Sequence, residues 1–281
     1  MIAPRPLRES DLAPGDLRSH TFDWGDFEIV EVRQAGDEDF ERIYAKLDEE
    51  FGHRGEMETR EVLQQRLSWK ISDEVAGHHL SYRMLALQKN GVWAALRDHT
   101  VIVKTNPSPR ACVHLSHVLV APEWRRTGLA GWMRAFPVED ARRACVELGL
   151  SPKTPITLVA EMEPFDFPEQ LPRLKAYARA GFRRVDPSRV NYHQPDFRPF
   201  AEIDSSGGTR PLPFWLMVRQ VGQEKDDSIT GLELRRIVDA LYAMYAQAFR
   251  AQDMAPLYQG LENYPGQREP IALQDIRNLL T

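Results

Sequence analysis

The chain has 281 residues, 42% hydrophobic and 27% charged, with a formal net charge of −5. That length can bury one large core, or one domain with an appendage, and the composition is that of a globular protein rather than a disordered one. The acidic balance excludes a general binder of nucleic acid, which needs a concentrated basic surface. No apolar run approaches the ~20 residues of a membrane span.

Residues 1–26 contain three prolines and several charges, and they predict an extended N-terminal arm. They lack the apolar core of a secretory signal. Cys112 and Cys145 are the only cysteines, with no CxxC pairing, so the expectation is a cytoplasmic protein with two buried thiols, although spacing alone leaves a disulfide open.

FEIVEVRQ at 27–34 predicts a strand. Asp37 then caps a helix carrying the stripe Phe40, Ile43, Tyr44 and Leu47 and ending near Gly52. A second helical stretch covers about 56–70. Asn90-Gly91 divides 80–104 into two strands, the strongest short-range hairpin signal. Residues 113–120 form a β-branched run that Pro122 stops. A helix follows over 129–148 with Gly149 past its end, then a strand over ITLVAEM at 156–162. Leu174, Tyr177 and Ala178 share one face of a helix that Gly181 ends, and Phe182 opens a short strand. PFWLMVRQV at 213–221 supplies a last strand.

Beyond the polar stretch GQEKDDS at 222–228, Thr230 and Glu233 have capping-box spacing. Leu234, Ile237, Val238, Leu241, Tyr245 and Ala248 then form an amphipathic stripe, and a final helical piece is expected near 273–280. The predicted organisation is the arm (1–26), a domain over 27–221 and a C-terminal helical extension over 222–281. The extension would pack on that domain or on a second copy in a homodimer.

The junction after the 113–120 strand carries the clearest chemistry. A strand, a small-residue turn and a helix N-terminus leave backbone N–H groups pointing outward, and the helix dipole favours negative charge there. Gly128 would let a phosphate approach the backbone. The physical reading is a pyrophosphate site; the bland alternative is a packed strand-to-helix corner.

Arg125-x-x-Gly128-x-Ala130 resembles the acyl-CoA pyrophosphate loop of the GNAT superfamily, the CoA-dependent N-acyltransferases, whose signature is Gln/Arg-x-x-Gly-x-Gly/Ala. Tyr177-Ala178-Arg179-Ala180-Gly181-Phe182 is similar to the Tyr-x-x-x-Gly-Phe that ends a later helix in that superfamily. The extra length between the two motifs falls in EPFDFPEQLP at 163–172. The element order over 27–221 is also similar. YHQPDF at 192–197 resembles segments of uncharacterised bacterial members, either lining an acceptor pocket or forming a plain turn. The resemblance implies an α/β (α+β) fold with a central mixed, mostly antiparallel sheet flanked by helices. It also implies acetyl-CoA as co-substrate, held by Leu119 and Val120 at the strand end and by Arg125, Arg126, Thr127, Gly128, Leu129, Ala130 and Gly131.

Acyl transfer to an amine requires a deprotonated amine, a held oxyanion and a protonated leaving thiolate. By resemblance Tyr177 is the acid; a buried aromatic with a bonded hydroxyl is the other reading. His114 falls where relatives place a base, work to which the histidine side chain is suited near neutral pH. Glu161 and Glu163 are rival bases, or binders of a cationic substrate. His117 reads as a packed core histidine, and His78-His79 has no ligand-like partners, so no metal is expected. The superfamily's helix-opening asparagine is absent, with Gln170 in its place. The expected activity is N-acetyl transfer to a small amine by direct attack in a ternary complex, since neither cysteine has an activating partner in sequence. The rival is a non-catalytic acyl-CoA-binding or sensor module. A third reading is transfer of an aminoacyl or longer acyl group, accommodated by the enlarged 163–172 segment.

Overall fold

The computed structural model describes residues 4, 7–164 and 170–279. The middle of the Pro- and Phe-rich segment 163–172, the place for an aminoacyl or longer acyl group in the third reading, lies outside the described residues. The contacts divide the chain into two compact units, Met1–Ile156 and Thr157–Thr281. Both are mixed α/β, and all the strand registers described within them are antiparallel.

In the first unit β1 (Phe27–Val32), β3 (His78–Lys89), β4 (Val92–Lys104) and β5 (Arg110–His114) lie side by side, with β2 (Glu74–Val75) on β3 and β6 (Val118–Val120) on β4. The β3–β4 hairpin turns at Asn90 and Gly91 with φ of 51° and 77°. This is the paired positive φ that an Asn-Gly turn provides at little steric cost. Alternation along β1 sends Phe27 and Ile29 to one face of the sheet and Val30 and Val32 to the other. The first face packs on α3 (Leu129–Glu147) through Leu129, Trp132, Met133 and Phe136, and the second on α1 (Glu38–Phe51) and α2 (Arg60–Leu67) through Phe40, Ile43, Leu47 and Leu63. Asp37 stands at the N-cap of α1, yet its carboxylate accepts from the backbone N–H groups of Arg33 (2.8 Å) and Gln34 (3.3 Å). It closes the preceding turn rather than capping the helix. Beyond α3, Gly149 (φ 73°) and Leu150 donate to Val146 and Cys145 carbonyls, the paired bonds of a glycine-closed helix end.

The N-terminal segment differs from the expected extended arm. It forms two 3-10 turns, Glu9–Asp11 and Pro14–Thr21, laid on α3. Pro14 presets the entry of the second, and Leu7 and Leu12 join the core with Trp132 and Phe136.

In the second unit the strand order is β7 (Ile156–Met162), β11 (Trp215–Gln220), β8 (Arg183–Val185), β13 (Pro270–Gln274) and β12 (Ser228–Thr230), with β9 (His193–Gln194) and β10 (Leu212–Pro213) paired apart. Helices α4 (Leu171–Arg179), α5 (Phe200–Ser205), α6 (Gly231–Tyr245) and α7 (Ala251–Gly260) complete it. The Thr230–Glu233 capping box opens α6, and Leu234, Ile237, Val238, Leu241 and Tyr245 are buried along it. The expected terminal helix is instead β13 followed by a 3-10 turn, Ile276–Leu279. Ile271 and Leu273 are buried with period two, and the strand is paired on both edges, with β8 and β12. The C-terminal segment thus supplies strands as well as helices and sits inside the second unit's sheet. Among the described residues no helix is long and apolar enough to cross a membrane.

Candidate functional site

The site is built on a bulged strand. β5 and β6 both pair with β4, through Thr100↔His114 and Arg97↔Val118, so three residues, Leu115–His117, stand opposite two, Asp98 and His99. An extra residue on one strand bends it and turns backbone groups out of the ladder. The bulge is pinned from below. The Asp98 carboxylate accepts the His117 backbone N–H (2.8 Å) and His117 Nδ1 (2.9 Å), while Tyr82 donates to its other oxygen (3.0 Å). His117 Nε2 lies 3.0 Å from the Glu56 carbonyl, so both ring nitrogens face acceptors. Only the imidazolium can donate at both.

The burial of His117 opposes its charge, but the charge and hydrogen bonds of Asp98 more than offset this and push it up to about 9. Burial likewise opposes ionisation of Asp98, and His117 outweighs it, holding the carboxyl down at about 2. A histidine raised from 6.5 to about 9 adds stability on the order of 3 kcal/mol. Because the folded value is the higher one, that contribution is complete below pH ~6.5 and disappears as pH rises toward 9. Urea midpoints should therefore fall between those limits, and in NMR the His117 ring should titrate near 9. A titration near 6.5 in the folded protein would sink this account.

His114 ends β5, 3% exposed, with Nδ1 3.2 Å from the Ser116 hydroxyl. After β6, Ala121 N–H donates to the Ala94 carbonyl (2.9 Å) and a 3-10 turn, Pro122–Trp124, swings the chain toward α3. Arg125 Nε donates to the Val120 carbonyl (3.2 Å), so strand end and loop, both expected to contact cofactor, are joined to each other. Arg126 is held at φ 68°, a conformation that costs a side chain energy, and Gly128 at φ 107°. The Thr127 hydroxyl is bonded to the Trp124 carbonyl (2.7 Å) and lies 3.4 Å from Leu129 N. The Gly128 carbonyl takes Gly131 N–H (3.0 Å) and Trp132 N–H (3.2 Å) as the helix begins. Among the described residues, the N–H groups of Arg126, Thr127, Gly128 and Ala130 donate to no backbone or side-chain acceptor. Four such donors lie at a helix N-terminus beside Arg125 and Arg126, an arrangement with the chemistry to hold an anion.

The other predicted residues belong to the second unit. Tyr177 lies on α4, 7% exposed, with its ring edge-on to Phe182 at 4.9 Å. Gly181 (φ 80°) closes α4 through Gly181 N–H to the Ala178 carbonyl and Phe182 N–H to the Tyr177 carbonyl, so the Tyr-x-x-x-Gly-Phe spacing has a local structural reason. Glu161, on β7, accepts from the hydroxyls of Tyr192 and Tyr245 (2.5 Å for the latter) and from Gln194 Nε2 (3.1 Å). Three donors thus converge on this carboxylate, an arrangement that favours the charged form. Glu163 accepts from Gln170 Nε2 (3.1 Å), with Arg173 3.8 Å away.

Sequence reasoning missed Asp98, Tyr82 and Tyr245. Tyr245 was visible only as one position of an amphipathic stripe, and its hydroxyl was silent. From YHQPDF, Tyr192 and Gln194 hold Glu161, whereas His193 lines a cavity of about 430 Å³ with Val190, Tyr242, Leu257 and Tyr264. Cys112 and Cys145 are both buried and not disulfide-bonded, and burial pushes the Cys145 thiol up, away from nucleophilic use. The described residues contain no group of three or more His, Cys, Asp or Glu able to hold a metal ion.

No family model and no curated protein matches the chain. Among solved structures it is similar to a GNAT-family acetyltransferase from Bacteroides thetaiotaomicron, with 18% identity and a TM-score of 0.37 over 69% of this chain and 85% of that one. It is similar to one from Desulfovibrio desulfuricans, with 17% identity and a TM-score of 0.36 over 69% and 99%. It is also similar to Arabidopsis thaliana NAA60 in complex with acetyl-CoA, with 11% identity and a TM-score of 0.38 over 69% and 100%. At these values the likeness is one of chain course alone.

Proposed function

We propose that the protein is an acyl-CoA-dependent N-acyltransferase of the GNAT type, moving an acetyl group from acetyl-CoA to an amine by direct attack. The observation that carries this reading is the bulged strand running into a loop with four unbonded N–H groups at the start of α3. That is the motif Arg125-x-x-Gly128-x-Ala130 in the setting its chemistry requires. The pyrophosphate would take the loop donors, and the thioester arm would run along Leu119 and Val120. His114 is the assigned base and Tyr177 the assigned acid, with Glu161 held by its three donors as a fixed negative charge suited to a cationic amine. Neither buried cysteine is needed.

Calorimetry with acetyl-CoA tests the binding half, and thiol release against a panel of primary amines tests transfer. Micromolar binding with amine-dependent release of CoA is expected. Binding without release across the panel would leave a non-catalytic acyl-CoA module, and absence of binding would sink the reading altogether.

A further inference from the structure

The N-terminal segment runs antiparallel along α3 and ends on the loop just described. Asp11 accepts from Arg142 (Nη2 2.6 Å, Nε 3.1 Å), and Asp16 accepts from Arg134 (Nη2 2.5 Å, Nε 3.2 Å). Ser19 donates to the Gly128 carbonyl at 2.7 Å. As the numbering rises along the segment it falls along the helix, so the three contacts are spread over more than three helical turns. Ser19 is 1% exposed and Asp16 5%. A buried ion pair and a buried hydroxyl bond fix geometry wherever else they cost solvation.

Two small residues, Gly128 of the motif and Gly131 just beyond it, are explained by this contact. A Cβ at Gly131 would lie 2.3 Å from Ser19 Oγ and 2.9 Å from Asp16 Oδ1. A Cβ at Gly128 would lie 3.2 Å from the Arg18 carbonyl oxygen. The chain thus gives up side chains at both positions to let the segment in. The segment also engages the loop selectively: Ser19 takes a carbonyl, an acceptor useless to a phosphate, and leaves the N–H donors of Arg126, Thr127, Gly128 and Ala130 unused. A plug would spend those donors, whereas a strap would leave them free.

We infer that the segment Asp11–Thr21 is a strap that sets the phosphate-binding loop in its binding conformation, with Ser19 as a positioning residue acting through Gly128. This rests on the acyl-CoA reading for the identity of the ligand, while the strap itself stands on the contacts. A loop with Arg126 and Gly128 at positive φ has other conformations to visit. Holding it in one removes an ordering cost from binding.

The experiment uses full-length Ser19→Ala and Ser19→Thr, calorimetry with acetyl-CoA, and amide hydrogen exchange. Ser19→Ala is expected to weaken acetyl-CoA binding by about tenfold and to raise the KM for acetyl-CoA without raising that for the amine. Exchange should speed up at 126–131 but not in β3 and β4, and Ser19→Thr, which keeps the hydroxyl, should restore both. Tighter binding in Ser19→Ala would overturn the proposal in favour of a plug, and unchanged binding with unchanged exchange would overturn it outright. If the wild-type protein binds no acetyl-CoA, the acyltransferase reading fails by itself. Exchange at 126–131 then decides whether Ser19 holds the loop, faster exchange supporting the strap and unchanged exchange ending it.

Discussion

Gly128→Glu is expected to abolish acetyl-CoA binding, with a loss of about a hundredfold or more. Two effects act together. The new carboxylate would meet a pyrophosphate of the same sign at close range, and the two would repel. The backbone is also strained, since φ is 107° and the Cβ would sit 3.2 Å from the Arg18 carbonyl. Strain of that kind costs ~1–3 kcal/mol whatever the side chain. Gly128→Ala separates the two, because it carries the strain without the charge. It should lower the unfolding midpoint as much as glutamate does, yet retain a substantial part of the affinity. Calorimetry on both variants, with circular dichroism to show that each is folded, makes the comparison. A folded Gly128→Glu protein that still bound acetyl-CoA tightly would remove the loop from the cofactor site.

The double reason for Gly128 shows where sequence reading stops. Several features that depend on neighbours within a few residues were legible, although Asp37 closes the turn before α1 rather than capping it. Asn90-Gly91 folds the hairpin, Thr230 and Glu233 cap α6, and Gly149 and Gly181 close their helices, because each works through bonds within about six positions. The bulge at Leu115–His117 was not legible. It is set by Asp98, 19 positions earlier on another strand, and nothing in the spacing of VHLSHVLV demands an extra residue. The strap was less legible still, since Ser19 and Gly128 are 109 positions apart and the charges of Asp11 and Asp16 look like ordinary surface charges until Arg142 and Arg134 face them. Strand β13 was missed for a different reason. Five residues with one buried pair fit a helix turn and a strand equally well, and only pairing on both edges decides between them. Glu161 is the instructive case in the second unit. Its strand position was readable, but its chemistry depends on Tyr192, Gln194 and Tyr245, which arrive from two other segments.

That arrangement sharpens the assignment of acid and base, and so what Tyr177→Phe and His114→Ala should do. Tyr177→Phe removes one hydroxyl from a side chain whose ring packs on Phe182, and the ring contact survives the change. Acetyl-CoA affinity should therefore persist while the chemical step slows by roughly 10²–10⁴-fold, the usual worth of a positioned general acid. Single-turnover kinetics reads that step directly. Full activity in Tyr177→Phe, with chemistry shown to be limiting, would place the acid elsewhere. His114→Ala should act on the pH dependence instead. A histidine base is active once deprotonated, so the rate climbs with pH through its titration, and loss of the imidazole should remove or displace that ascending limb. An unchanged limb would exclude His114. It would not pass the role to Glu161 by default, because a carboxylate already accepting from two tyrosine hydroxyls and an amide is stabilised in its charged form. Tyr245→Phe distinguishes these outcomes: removing one donor makes Glu161 more basic. If Glu161 were the base, the limb would shift upward in pH; if it only holds a cationic amine, the acceptor KM would change and the limb would stay.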